Sequence, residues 1–216
     1  MVKQPKIPPV DEQKVRNLLE KYSCPVPYHE VRTPFLGNIA TPEVSASPMS
    51  IVKGLWGGEL PEFESMEALN ELLGILVNGL WNSLTRHQKR SDPFRLVRTP
   101  VEPTRGGLTA YALMRRQEID GFVEGLFNGR EEVDLPEKAS ASIDVLGELR
   151  AMLTGAHALA ADDTKIASDR EFAATLKHVQ QLTPIIEREI NAVVLACTRA
   201  RRQALKSPDF SGPTFH

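Results

Sequence analysis

Cysteine is scarce in this chain. Cys24 and Cys197 cannot build a disulfide framework, and neither belongs to a Cys-x-x-Cys pair. Histidine is equally thin, and His29, His87, His157, His178 and His216 contain no His-x-x-x-His spacing. The ligand set of a zinc or iron site is therefore missing, and neither metal nor cofactor is expected. Cys24 and His29 are separated by two prolines, which makes a turn the simpler reading of that pair. Long apolar runs are missing too: no window approaches 18 residues, so no membrane span is predicted. The start, Met1-Val-Lys-Gln-Pro-Lys-Ile-Pro-Pro9, has no apolar core of a secretory signal, and a cytoplasmic protein is expected. A net charge of −2 gives no global bias toward nucleic acid or anionic lipid.

Catalytic patterns are also wanting. Gly54 to Gly58 and Arg105-Gly-Gly107 are glycine-rich without Walker spacing or a preceding strand, so they read as helix stops. Glu131-Glu132 and Asp162-Asp163 are adjacent pairs, which do not converge on a substrate. No Ser-His-Asp or Cys-His arrangement stands out, and no catalytic residue is assigned. Cys197 shares a helical arc with Ile190, Val193 and Val194 and reads as a core thiol.

What is present is a phrase written twice. Val52-Lys-Gly-Leu-Trp-Gly-Gly58 returns as Val123-Glu-Gly-Leu-Phe-Asn-Gly129. Each copy leads into an acid-Leu-Pro-Glu phrase, Glu59-Leu-Pro-Glu-Phe-Glu-Ser65 and Asp134-Leu-Pro-Glu-Lys-Ala-Ser140, with Arg130 to Val133 inserted in the second. This is a duplicated helix stop, turn and helix start, and it speaks to architecture. Trp56 and Phe127 hold the same place in the two copies. Both rings are expected to pack inward, with segments 47–85 and 117–156 forming similar helix pairs.

The remaining pattern is helical. Asp11 is a good N-cap ahead of Val15, Leu18, Leu19 and Tyr22, and Cys24-Pro-Val-Pro27 ends that helix. Thr33-Pro34 and Ser47-Pro48 each look like a cap with proline at the first helical position. Ser65 opens a helix with Leu69, Leu72, Leu73, Leu76, Leu80, Trp81 and Leu84 on one face. Gly74 and Gly79 inside it cost about 1 kcal/mol each, and close approach of a neighbouring helix is the expected compensation. Residues 91–106 carry three prolines and no amphipathic period, so they read as an extended connector. Helix resumes near Leu108 and stops at Gly129. Another starts at Ser140 or Ser142, and Ser168-Asp-Arg-Glu171 is a capping box. Thr183-Pro184 is predicted to start a last helix over about 184–206.

Two basic features stand out. Arg86, Lys89, Arg90, Arg95, Arg98, Arg105, Arg115 and Arg116 face only Asp92 and Glu102 within residues 86–116. On the last helix Arg188, Arg199, Arg202 and Lys206 share one face, with Leu195 among them, opposite Ile186, Ile190, Val193 and Cys197. A solvated face accounts for this arrangement, and so does a docking surface for an acidic partner. The absence of interleaved aromatics on that helix argues against nucleic acid.

The order of motifs resembles the YecA/YgfB-like family of small bacterial helical proteins. The resemblance covers about residues 30–202 and is carried by Phe35-Leu-Gly-Asn-Ile-Ala-Thr-Pro42, Ser47-Pro-Met49, the paired turns, Trp81-Asn-Ser-Leu84, Gly121-Phe-Val-Glu-Gly125 and Leu182-Thr-Pro-Ile-Ile186. It implies an all-α fold and supplies no catalytic residue. Where the family often has an aromatic before the Gly-Phe step, this chain reads Glu118-Ile-Asp120, and it lacks the C-terminal cysteine-rich zinc motif of some members.

The expectation is an all-α protein of about seven or eight helices, in related halves at about 30–90 and 105–160 joined by the 91–106 connector. A flexible start (1–10) and tail (207–216) flank a single domain, 11–206. Its expected role is a non-enzymatic regulator or adaptor working through protein–protein contacts, with an unknown protein or a second copy as partner. The alternatives are an enzyme or small-ligand binder assembled from separated helices, and a nucleic-acid-associated factor using 86–116.

Overall fold

A computed structural model of the chain describes residues 10–42, 46–164 and 168–205. The Asp11 carboxylate accepts the backbone amides of Gln13 and Lys14, and α1 (Glu12–Lys21) starts there, burying Val15, Leu18 and Leu19. Six further helices follow: α2 (Tyr28–Ala40), α3 (Pro48–Gly54), α4 (from Met66 to Leu84), α5 (Arg105–Phe127), α6 (Glu137–Ala161) and α7 (Asp169–Ala204). The described residues hold no strand and no helix long and apolar enough to cross a membrane. Side-chain oxygens of Ser47, Ser65, Thr104 and Ser168 cap α3, α4, α5 and α7, each accepting an amide that the helix itself cannot pair.

Helix α5 is the centre of the fold, with α2, α6 and α7 packed around it. The α2–α5 crossing is unusually close because glycines meet there. A Cβ on Gly37 would lie 2.6 Å from the Leu126 amide nitrogen, and one on Gly125 would lie 2.6 Å from the Cα of Pro34. The Gly121-Phe-Val-Glu-Gly125 step is therefore the seat of a backbone-to-backbone contact. Pro34 lies inside α2, which starts six residues before it at Tyr28. The predicted helix start at Thr33-Pro34 is corrected accordingly. Glu30 loses the amide that would have bonded its carbonyl, and the Thr33 hydroxyl donates to that carbonyl instead at 3.1 Å.

The same correction applies to Pro184. Instead of starting a helix at about 184, the chain runs one unbroken α7 from Asp169, with Pro184 inside it. Pro184 and Gln180, whose carbonyl it leaves without an amide, both lie on the exposed side of α7. Solvent can take the lost partner's place there. Merging the two expected helices brings the count to seven. Helix α6 starts at Glu137 after Pro136, ahead of the expected Ser140 or Ser142.

The two copies of the repeated phrase share their exit from helix. Gly57 and Gly58 have φ of 76° and 108°, and Asn128 and Gly129 have 50° and 80°, so each copy places two left-handed residues in succession. Glycine and asparagine are the residues that tolerate this region. Trp56 and Phe127 are both half-buried and packed against the core, and Trp56 Nε1 donates to the Tyr22 carbonyl at 2.9 Å. The helices leading into these exits differ: α3 has 7 residues and α5 has 23.

Close approach of a neighbouring helix does not explain the glycines of α4. Nothing lies within 4 Å of a Cβ on Gly74, and the nearest atom to one on Gly79 is a Val10 methyl. Instead α4 opens into a π-helical stretch, Gly74–Trp81, between α-helical Met66–Leu73 and Asn82–Leu84. Glycines at both ends of the stretch lower the steric cost of the wider turn. A 3₁₀ turn, Thr85–Gln88, completes the segment.

The connector is extended, and it is tied down along its length. Asn191 of α7 accepts the Phe94 amide at 2.8 Å and donates to the Phe94 carbonyl at 3.0 Å. Glu187, 1% exposed, accepts the Leu96 amide, Arg95 and Arg98. Arg115 of α5 donates to the Val97 carbonyl at 2.7 Å. Residues 94–98 thus form a strap across α5 and α7. Of the expected flexible segments 1–10 and 207–216, all but Val10 lie outside the described residues, as does Lys206.

Candidate functional site

Helix α7 divides into two faces. Ile186, Ile190, Val193 and Cys197 are fully buried, while Arg188, Arg199 and Arg202 are exposed on the other side. Near its end Arg201 turns inward and donates to the Ile39 and Thr41 carbonyls at 3.0 and 3.2 Å, fixing the helix against the open end of α2. That anchor leaves the flanking Arg199 and Arg202 facing outward.

The outward face is a groove. Its floor is Ala192, Leu195, Ala196 and Ala200 of α7, and its volume is about 560 Å3. Three parts of the chain wall it: Arg90, Pro93 and Arg95 of the strap region, Pro136 and Lys138 at the start of α6, and Arg188 and Arg199 of α7. A continuation of about 400 Å3 shares Arg90, Leu195 and Arg199 and adds Lys89 and Arg202. Among the described residues, neither part has an acidic lining residue. Arg95 holds Glu187 and Arg188 holds Glu189, whereas Lys89, Arg90, Lys138, Arg199 and Arg202 make no ion pair among the described residues.

The structure therefore brings Arg188, Leu195, Arg199 and Arg202 into one continuous surface. Leu195 is half-buried and forms part of the floor, so it is not stranded among the cations. Lys138, fifty residues upstream of Arg188, was invisible to periodicity because it joins the groove only through tertiary packing.

The 86–116 stretch is dismantled by the fold. Arg86 pairs with Asp92, Arg95 and Arg98 with Glu187, and Arg116 with Asp120. Arg105 donates to the Ala160 and Asp162 carbonyls, and Arg115 is buried. Lys89 and Arg90 are left, and they belong to the groove. A run of cations in sequence is here not a patch in space.

Arg115 and Glu118 form a buried ion pair one turn apart on α5. Burial pushes the Glu118 carboxyl up to about 7, even with the Arg115 guanidinium against it. Among the described residues, the Arg115 Nε has no hydrogen-bond partner. A second, smaller cavity of about 280 Å3 lies between the two helix exits, lined by Glu30, Pro34, Ser50, Glu124 and Asn128 among others. Burial, then the nearby Glu124 and Asp120, raises the Glu30 carboxyl above its ordinary value. Burial likewise lowers His29, which bonds Gln117, and pushes the Cys197 thiol up to about 11. No group of three His, Cys, Asp or Glu side chains among the described residues can hold a metal ion.

Compared with protein-family models, curated proteins and solved structures, the chain gives no match.

Proposed function

We propose that this chain, a YecA/YgfB-like all-α protein, acts as a non-enzymatic adaptor or regulator that holds an acidic segment of a protein partner in the α7 groove. One observation carries the reading. Cations from three separate parts of the chain converge on a single apolar floor with no acid among its described lining residues. Exposed ion pairs are worth only about 0.2–1 kcal/mol each. The cations thus supply steering and register, and Leu195 with its neighbouring alanines supplies the apolar contact that holds the segment. The groove's length along α7 suits an elongated occupant better than a compact one.

The test is binding of a fluorescent glutamate-rich peptide to the whole chain and to Arg199→Glu/Arg202→Glu. Wild type should bind with an affinity that falls steeply as salt rises, and the variant should lose binding while keeping its helicity. Binding unchanged in the variant, or insensitive to salt, would overturn the proposal.

A further inference from the structure

The chain carries its own complement to the groove. Glu59, Glu62, Glu64 and Glu67 lead into α4, all exposed and none in an ion pair among the described residues. Met66 stands among them, 66% exposed, the most exposed large apolar side chain described. Lys53 is exposed shortly before this segment at the end of α3, and Lys21 holds Glu71 just beyond it. Its own backbone amide and the Ser65 side chain hold the Glu67 carboxyl below its ordinary value.

This acidic segment and the Lys89–Arg90 end of the groove sit at opposite ends of one element. Met66 begins α4, and Lys89 and Arg90 follow the 3₁₀ turn that ends it at Gln88. At about 1.5 Å per residue, some 30 Å of helix separates them. None of residues 59–67 lines either part of the groove. A protein of net charge −2 has thus placed an acidic, methionine-bearing segment at one end and a basic, leucine-floored groove at the other.

We infer that a second copy of this chain fills the groove, inserting its 59–67 segment so that Met66 meets Leu195 and the glutamates meet Arg90, Arg199 and Arg202. This rests on the groove being a docking site. The contact joins two different surfaces, so each docked pair still offers one free groove and one free segment. Association is therefore head-to-tail, extends with concentration and is sensitive to salt.

Sedimentation of the whole chain tests it. At low ionic strength, wild type should exceed its 24.0 kDa monomer mass increasingly with concentration, and return to it at about 0.3 M salt. Arg199→Glu/Arg202→Glu and Glu62→Lys/Glu64→Lys should each be monomeric alone, with helicity unchanged. An equimolar mixture of the two should associate again, because the first keeps its segment and the second its groove. Wild type that stays monomeric yet binds a glutamate-rich peptide would overturn self-docking and leave the groove reading standing. Failure of both would sink both. Association that survives in Glu62→Lys/Glu64→Lys would show that another surface is responsible.

Discussion

Replacing Gly125 with alanine and Gly54 with alanine should have opposite effects, although the two glycines hold the same place in the repeated phrase. A methyl on Gly125 would lie 2.6 Å from the Cα and carbonyl carbon of Pro34, and closer still to the carbonyl oxygen. These are backbone atoms inside a helix, so the strain is relieved only by parting α2 from α5 by about 1 Å. A gap of that size forfeits roughly a quarter to a half of each dispersion contact. Phe35, Leu36, Ile39, Phe122 and Leu126 are buried on these two helices. With about 2 kcal/mol of burial each, losing a quarter costs about 2–3 kcal/mol. Alanine's better helix propensity returns less than about 1 kcal/mol. The melting temperature should therefore fall by roughly 5–10 °C. Gly54 ends α3 in the open, with nothing within 4 Å of a Cβ and no left-handed φ, so its alanine variant should be neutral or slightly stabilising. Paired denaturant and thermal melts followed by circular dichroism decide the matter. A Gly125→Ala protein within about 0.5 kcal/mol of wild type would refute the close-crossing argument.

Two further outcomes follow from buried carboxylates. Glu187→Ala removes the acceptor for the Leu96 amide, Arg95 and Arg98; because both arginines are more than 60% exposed, no charge is left buried, and the cost should be about 2–3 kcal/mol. Trypsin should then cut at Arg95 and Arg98 much faster than in wild type, and equal cutting rates would mean the strap is not held by Glu187. For Glu118, the folded pKa of about 7 lies above its ordinary value of 4.5, so the native state binds the extra proton. The stabilisation this gives is complete below about pH 4.5 and is lost as pH rises through 7, at up to about 1.4 kcal/mol per pH unit. Urea melts at pH 5 and 8 should show wild type losing about 2–3 kcal/mol relative to Glu118→Gln. A wild-type advantage that grows with pH would contradict the sign.

Local chemistry was legible in the sequence. Asp11, Ser47, Ser65 and Ser168 cap helices where they stand because a cap is decided within four residues. The stops at Gly57-Gly58 and Gly129 are equally local, since a left-handed φ depends on the residue that adopts it. The prolines misled for the opposite reason. Pro34 survives inside α2 because Thr33 and the facing glycines of α5 accommodate it, and those glycines lie about ninety residues away in sequence. The basic face of α7 was visible through its period, but the strap and α6 walls of the groove were not. Nor could charge counting reveal that Glu187 gathers two of the arginines from the 86–116 stretch.

The strap also dictates a sequence of events in time. Phe94 bonds Asn191 across 97 residues, and Arg201 closes the end of α2 across 160. A ribosome releases the early segments long before it releases their partners. While α7 is still being made, the strap has no acceptor at Glu187, the last carbonyls of α2 lack Arg201, and the apolar side of α5 that α7 covers stays open to water. The native arrangement can form only when α7 has emerged, so folding of this region waits on distant contacts. The nascent chain is at its most vulnerable to proteolysis and misassociation just before α7 emerges.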